Sequence, residues 1–356
     1  MTSHAFQQAA RTGTVDGPLR GYHREWYVVQ PSGELADLGR VKVGEPRENV
    51  LWFDRRCFPA EEQLLLRLSD LGMPGVPPVR SFETLRLVVH GFVEGQTLSE
   101  RSPAGMTVEK PHLAQIMAIF GELARVRPST VTSWGIHDRT DDVREGDSRA
   151  FLQSLIRFTH EHVYTKRRPE FGQLFDQLGI PATALEPHSW LMAEAGHVSA
   201  RPFCLLHGDL HRANFIVDPT DRIWTIDWEL AALGDPLYDL ATHLHLMCYP
   251  PGQEREVTEQ WCTTMLEALP GAVSGLERDL PRYLAYKRAQ SVYTDVVRHA
   301  IAVRNCATPD QRANQLYRTA KALEHVLTRA EQCLRLRTVP DPWAIESAYA
   351  NFCSAT

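Results

Sequence analysis

Three polar residues near position 210 have the types and spacing that phosphoryl transfer requires. Asp209 and Asn214 stand in residues 207–214 (HGDLHRAN), and Asp227 follows thirteen positions after Asn214. In phosphoryl transfer one Asp accepts the proton of the attacking hydroxyl, while an Asn and a second Asp hold the Mg²⁺ that bridges the nucleotide phosphates. Magnesium prefers hard oxygen ligands. The spacing therefore predicts Asp209 as the catalytic base and Asn214 and Asp227 as metal ligands.

Short strands must position these three residues. Residues 203–206 are typical of a buried strand that leads into the motif, and residues 215–217 and 224–226 predict two further strands around a turn. We expect the three polar residues at the strand ends of one small sheet, where they can meet a ligand. A polar surface hairpin is the alternative, but it does not explain the order and spacing of the set.

Residues 207–214, together with 226–229 (IDWE) and 234–241 (GDPLYDLA), resemble the aminoglycoside phosphotransferase and choline kinase superfamily, a branch of the protein-kinase-like fold. The resemblance is specific over residues 203–244 and diffuse elsewhere. It implies an α+β, two-lobed protein-kinase-like fold with a small antiparallel-sheet N-lobe and a large, mostly helical C-lobe. It also implies ATP or GTP with Mg²⁺ as cofactors, and a structural role for Asp239 beneath the catalytic loop.

The chain is expected to divide at two positions. Residues 1–20 are polar and lack periodicity, which predicts a loose N-terminus. Residues 21–93 would form the N-lobe, a nucleotide-covering sheet with one helix that ends in a hinge. Residues 94–356 would form the helical C-lobe, with the catalytic loop and the substrate-binding helices.

By the resemblance, three N-lobe residues serve nucleotide binding. Gly21 opens the turn and strand expected to cover the nucleotide, although no Gly-x-Gly-x-x-Gly is present and Gly21 could equally close a turn. Lys42, on the third strand, would contact the phosphates, and an ion pair with Glu61 in the helix predicted over residues 60–70 would aim it.

The hinge is expected to bind the nucleotide base. In the family that this chain resembles, the hinge backbone hydrogen-bonds adenine, which places the carbonyl at Gly91 and the amide at Val93. Val88 and Phe92 could add apolar contact. A plain interdomain linker would contain the same residues, so this expectation depends on position alone.

Residues 47–59 depart from the family pattern. They contain two arginines just ahead of the helix, so Arg56 competes with Lys42 as the phosphate-facing cation. Lys42 is preferred, because Arg56 lies too close in sequence to Glu61 to reach across to the helix face.

The composition gives no indication of a nucleic-acid or membrane partner and favours a cytoplasmic protein. The chain has 356 residues, of which 43% are hydrophobic and 23% charged, and its formal net charge is −6. This charge is too small to indicate a nucleic-acid or membrane partner. Seven scattered cysteines without a Cys-x-x-Cys pair, and no apolar leader, are typical of a cytoplasmic protein with reduced thiols.

The C-terminal third is locally basic. Residues 278–338 contain twelve Lys or Arg against five Asp or Glu, and apolar residues recur every three or four positions over 282–304. The other face of that helix would carry Lys287, Arg288, Arg298 and Arg304. A basic groove would suit a neutral, acidic or phosphorylated substrate better than a polycationic aminoglycoside, but ordinary solvated surface is the favoured interpretation.

Three functions fit the sequence. The leading one is an ATP- or GTP-dependent O-phosphotransferase for a hydroxylated small molecule, an antibiotic or another secondary metabolite, because the segment between Asp227 and Asp239 leaves no long activation loop. The second is a Ser/Thr kinase that acts on a peptide in modified-peptide biosynthesis. The third is a non-catalytic nucleotide-binding scaffold, which the intact set of Asp209, Asn214 and Asp227 disfavours.

Overall fold

The computed structural model describes residues 3–19, 24–47, 50–58, 61–82, 87–136 and 143–354. Within these ranges the strands are β1 (Gly13–Leu19), β2 (Arg24–Pro31), β3 (Val41–Pro46), β4 (Val79–Phe82), β5 (Leu87–Gly91), β6 (Gln96–Thr97), β7 (Cys204–Leu206), β8 (Phe215–Val217), β9 (Ile223–Thr225) and β10 (Ala232–Gly234). The helices are α1 (His4–Thr12), α2 (Glu61–Asp70), α3 (Leu98–Arg101), α4 (Lys110–Arg125), α5 (Pro128–Ser133), α6 (Ser148–Phe158), α7 (Arg168–Gln177), α8 (Trp190–Ala195), α9 (Pro236–Met247), α10 (Pro251–Ala268), α11 (Leu276–Arg304), α12 (Pro309–Leu334) and α13 (Pro342–Ser354).

The chain folds as two compact units. The first comprises Met1–Trp52, Arg56–Asp141 and Phe203–Ala272, and the second comprises Phe53–Arg55, Asp142–Pro202 and Val273–Thr356. The first unit continues past the boundary predicted after Val93, so the division into lobes at that position stays a prediction.

A five-stranded antiparallel sheet dominates the start of the first unit, with the strand order β1-β2-β3-β5-β4. Side chains alternate between its faces, so Val29, Val43 and Val89 share one face and pack against Ala5 and Ala9 of α1. Each fully buried valine contributes about 1.5–3 kcal/mol to folding. The alternation leaves the other face of the sheet available for polar residues.

The expectation of a loose N-terminus is wrong for residues 3–19. Ser3 caps α1 by accepting a hydrogen bond from Phe6 N at 3.2 Å, and β1 pairs with β2. Ala5 and Ala9 lie one helical turn apart and are both buried against the sheet. Because alanine is only a weak hydrophobic signal in a polar stretch, the periodicity escaped the sequence interpretation.

The strands around residue 210 belong to two small sheets rather than to the one that was expected. β8 pairs with β9 and with β6, whereas β7 pairs with β10, in which Ala232 lies opposite Leu206. The partner of β7 therefore comes from beyond Asp227, and a three-residue strand of this kind gives little sequence signal.

The described part of the second unit is helical. α11 is 29 residues long and begins at Leu276, ahead of the predicted start at 282, and its buried face carries Tyr283, Tyr286 and Tyr293. With the antiparallel sheet of the first unit, these helices confirm the α+β class. Among the described residues, every helix is too short or too polar to cross a bilayer.

Candidate active site

The backbone at the start of residues 207–214 is held in place by the side chain of Asp239. Its carboxylate accepts hydrogen bonds from His207 N at 2.8 Å and from Gly208 N at 2.7 Å. α9 presents Asp239 one turn after its N-cap Asp235, which accepts a hydrogen bond from Leu237 N. This is the supporting position that the resemblance implied for Asp239.

Gly208 is required by the shape of the loop. Its φ is +81°, a conformation that favours glycine, and a Cβ at this position would lie 2.4 Å from the carbonyl oxygen of Leu230. The loop therefore turns sharply just before Asp209.

Asn214 and His211 hold the side chain of Asp209. The amide Nδ2 of Asn214 donates to Oδ2 and to the backbone oxygen of Asp209, each at 2.9 Å, and Nε2 of His211 lies 3.3 Å from Oδ2. Burial disfavours protonated His211, but the hydrogen bond to Asp209 and the charges of Asp209 and Asp227 outweigh burial and raise the pKa of His211. The cluster thus fixes the position of the Asp209 side chain.

A backbone hydrogen bond of the preceding residue brings Asp227 next to the cluster of Asp209, Asn214 and His211. Ile226 N donates to the carbonyl of Asn214 at 3.0 Å, and Asp227 itself has a φ of +65°. A non-glycine residue in this region stores about 1–3 kcal/mol of strain and is typical of functional sites. Burial and then the charge of Asp209 raise the pKa of Asp227, while Lys42 and Arg56 oppose the rise.

A pocket in the first unit brings together three of the residues predicted from the sequence, Lys42, Glu61 and Asp227. Lys42 Nζ lies 4.6 Å from the centroid of the Trp26 ring. Burial lowers the pKa of Lys42, and the charges of Glu61 and Asp227 oppose this effect. The described lining of the pocket also includes Leu19, Arg24, Trp26, Leu65, Pro77, Val79, His90, Thr225, Ile226, Trp228 and Glu229.

Instead of the predicted ion pair, Lys42 and Glu61 interact electrostatically over a longer distance. Among the described residues no direct contact joins the two side chains, and Glu61 Oε1 instead accepts a hydrogen bond from Trp228 N at 3.3 Å. Lys42 is drawn toward the Trp26 ring, which the sequence interpretation did not consider. Each charge still acts on the pKa of the other across the pocket.

The described residues of the predicted hinge are held by the sheet. Gly91 N donates to Pro78 O at 2.7 Å, and Phe92 N donates to Arg40 O at 3.0 Å. The guanidinium of Arg40 covers the Phe92 ring at 4.7 Å from its centroid. Base binding by the Gly91 carbonyl and the Val93 amide stays a prediction, and Gly21 falls outside the described residues.

The donor set fits a magnesium ion shared with a nucleotide. Because Asn214 directs Nδ2 at Asp209, its carbonyl Oδ1 faces away and can act as a ligand, and a dication would relieve the repulsion between Asp209 and Asp227. In the part of the chain that the structure describes, no group of three or more His, Cys, Asp or Glu could hold a metal ion by itself. Magnesium commonly takes one or two carboxylates and completes its shell with water and phosphate.

Histidines near the motif have structural partners. His243 bridges Leu210 O at 2.8 Å and the hydroxyl of Tyr249 at 3.0 Å. His207 is fully buried, which lowers its pKa to about 4, and its Nδ1 accepts a hydrogen bond from Asp209 N at 3.3 Å.

Several basic side chains of α11 in the second unit have acidic or amide partners. Arg282 pairs with Glu194 at 2.9 Å, and Arg304 pairs with Glu170. Lys287, which was expected on the exposed face, is buried and donates to the side-chain oxygen of Gln290 at 2.7 Å. These contacts give the basic residues a structural use.

Sequence reasoning missed Trp26 and His90, which share the pocket face of the sheet with Lys42. His90 lies opposite Lys42, and its ring meets Trp26 edge-on with centroids 4.9 Å apart. Burial, followed by the charges of Lys42 and Arg24, lowers the pKa of His90 to about 3. The signal was the alternation of β2 and β5: side chains two residues apart share a face.

A family model described as the phosphotransferase enzyme family matches residues 40–276, more than half of the chain. No curated protein matches the chain.

Similar solved structures include a thermostable mutant of aminoglycoside phosphotransferase APH(4)-Ia in ternary complex with AMP-PNP and hygromycin B. It is 16% identical, covers 94% of this chain and 98% of its own, and has a TM-score of 0.50. An ethanolamine kinase from Plasmodium vivax is 14% identical, covers 89% of this chain and 83% of its own, and has a TM-score of 0.51. Both likenesses establish the kinase-like fold.

Proposed function

Because this chain belongs to the phosphotransferase enzyme family, we propose that it transfers the γ-phosphoryl group of ATP or GTP to a hydroxyl group of a small molecule. The acceptor class that we favour is an antibiotic or another secondary metabolite. The observation that carries the proposal is the hydrogen-bonded pair of Asp209 and Asn214, next to which the backbone places Asp227.

In the proposed reaction Asp209 takes the proton of the acceptor hydroxyl as that oxygen attacks the γ-phosphorus. The bond from the γ-phosphorus to the bridging oxygen breaks, and ADP or GDP leaves with that oxygen. Asp209 is suited to this role because Asn214 fixes its position while a quarter of its side chain stays exposed. Proton transfer to a positioned general base typically contributes about 10²–10⁴-fold to the rate.

Lys42, which lines the pocket, would neutralise the charge of the nucleotide phosphates. Asn214 and Asp227 would hold a magnesium ion, which supplies charge neutralisation for the phosphates when it is bound. Glu61 would act on the nucleotide through its charge on Lys42, and Gly21, Gly91 and Val93 complete the proposed nucleotide contacts by their position in the chain.

The preference for a small acceptor follows from the connection after Asp227. Residues 228–231 form a turn, β10 follows at once, and α9 begins at Pro236. The segment is occupied by a strand that pairs with β7, so it offers no long loop on which a peptide could dock.

A direct test is mass spectrometry of the purified chain with Mg²⁺ and either ATP or GTP, against panels of aminoglycosides, amino alcohols, other hydroxylated compounds and Ser/Thr peptides. We expect a phosphorylated small molecule whose formation is lost in Asp209→Asn. Transfer to peptides alone would contradict the proposed acceptor class. Nucleotide binding without any transfer would contradict the proposed activity and favour a scaffold.

A further inference from the structure

Arg56 was first considered as the cation that faces the phosphates. In the first unit it instead contacts Glu229 and Trp52. Its Nη2 lies 2.6 Å from Oε2 of Glu229, and its guanidinium stacks on the Trp52 ring at 3.2 Å from the centroid. The planar guanidinium thus makes an ion pair and a cation–π contact together, a combination for which arginine is better suited than lysine.

Glu229 connects Arg56 to the proposed metal site. It follows Asp227 by two residues, lines the same pocket, and its side chain is only 8% exposed. A buried carboxylate next to a second carboxylate is costly unless a cation compensates it.

A second contact holds the same turn. Glu61 Oε1 accepts a hydrogen bond from Trp228 N at 3.3 Å, so the two residues after Asp227 are both held by groups within positions 56–61. Asp227 is the residue with the strained φ of +65°. Strain of this kind persists only where the surrounding contacts determine the conformation.

From these contacts we infer that Arg56 is a positioning residue, which fixes Glu229 and thereby aims the carboxylate of Asp227, and that it does not bind phosphate itself. Its charge is already engaged by Glu229 and the Trp52 ring, and among the described residues the pocket is lined by Lys42 and not by Arg56. The inference rests on the proposed role of Asp227 as a metal ligand.

The test measures binding of the non-hydrolysable nucleotide AMP-PNP by calorimetry, without metal and over a titration of Mg²⁺. The chains compared are wild type, Arg56→Gln, Arg56→Lys, Glu229→Gln and the double variant of Arg56→Gln with Glu229→Gln. Arg67→Gln, on an exposed part of α2, is the matched control.

We expect Arg56→Gln and Glu229→Gln each to raise the Mg²⁺ concentration for half-maximal nucleotide binding by about 10- to 100-fold, the usual effect of losing a residue that orients a metal ligand. The metal-free Kd should stay at the wild-type value. The double variant should be no weaker than the weaker single variant, because both changes break one contact. Arg56→Lys should be intermediate, and Arg67→Gln should match wild type.

Three results would overturn the inference. A weaker metal-free Kd in Arg56→Gln would mean that Arg56 contacts phosphate. Additive losses in the double variant would mean that Arg56 and Glu229 act independently. Unchanged Mg²⁺ dependence in both single variants would mean that the contact does not position Asp227. If Arg56→Gln does not fold, Arg56→Lys, Glu229→Gln and the double variant that combines these two changes complete the same cycle.

The outcome separates this inference from the proposed function, since nucleotide binding needs no acceptor. If wild type binds AMP-PNP with Mg²⁺ but phosphorylates nothing, the proposed function fails and the inference can still hold. If wild type phosphorylates an acceptor and the variants keep its Mg²⁺ dependence, only the inference fails.

Discussion

Asn214 binds Asp209 twice: its Nδ2 lies 2.9 Å from the carboxylate and 2.9 Å from the backbone oxygen of the same residue. One amide group therefore fixes both the position and the rotamer of the proposed base. Its carbonyl oxygen is left available as a ligand for the proposed metal.

Asn214→Ala should lower kcat by at least about 10²-fold, because the proposed base loses its fixed position and the proposed metal loses a ligand. Steady-state kinetics with the acceptor found in the panel checks this, with Asn314→Ala, an exposed asparagine of α12, as control. Wild-type kcat in Asn214→Ala would remove Asn214 from the site.

Lys42→Met should raise the KM for the nucleotide by about ten- to a hundredfold, which corresponds to the loss of one charged contact of about 1.5–3 kcal/mol. Methionine keeps most of the length of the side chain and can still pack on Trp26, so the change removes mainly the charge. Lys110→Met, at the exposed start of α4, is the control. An unchanged KM would exclude Lys42 from phosphate binding.

Gly208→Ala should destabilise the chain and reduce activity more than Gly105→Ala. Both glycines have a positive φ, +81° and +86°, but only the Cβ at Gly208 would clash, at 2.4 Å from Leu230 O. The pair therefore separates the clash from backbone strain. Equal losses of unfolding free energy in urea denaturation would show that the close approach of Leu230 is not limiting.

The stability of the chain should fall as the pH falls from 6.5 toward 4, in part through His243. Burial lowers its pKa from 6.5 to about 4 in the folded state, so only the unfolded state binds the proton within this window. The contribution of neutral His243 to the free energy of unfolding is fully present above pH 6.5. Below that pH it is lost at up to about 1.4 kcal/mol per pH unit.

His243→Gln should flatten this pH dependence, measured as the unfolding free energy between pH 4.5 and 7.5. His197→Gln, which changes an exposed histidine, is the control. If His243→Gln retains the full wild-type slope, His243 does not carry the effect.

The proposed catalytic set could be recognised in the sequence because Asp209, Asn214 and Asp227 depend on local spacing along a short piece of chain. The same holds for Asp239, whose helix is capped by Asp235 with a proline at its first position. Local sequence patterns of this kind can be recognised without knowledge of the tertiary packing.

What the sequence did not reveal depends on contacts between distant segments. Trp26 meets Lys42 only because β2 and β3 pair in one particular register, and Arg56 meets Glu229 across nearly half of the chain. The helix of residues 4–12 was missed because alanines pack it. Pairing register and side-chain partners of this range are tertiary properties that periodicity does not encode.

The most direct test of the central claim compares Asp209→Asn with wild type in a single-turnover phosphoryl transfer assay, together with the nucleotide Kd of each. Asn keeps the size of the side chain and removes its capacity to accept the proton. The account predicts that the transfer rate falls by about 10²–10⁴-fold while the nucleotide Kd is nearly unchanged. A wild-type transfer rate in Asp209→Asn, or a loss of nucleotide binding as large as the loss of rate, would contradict it.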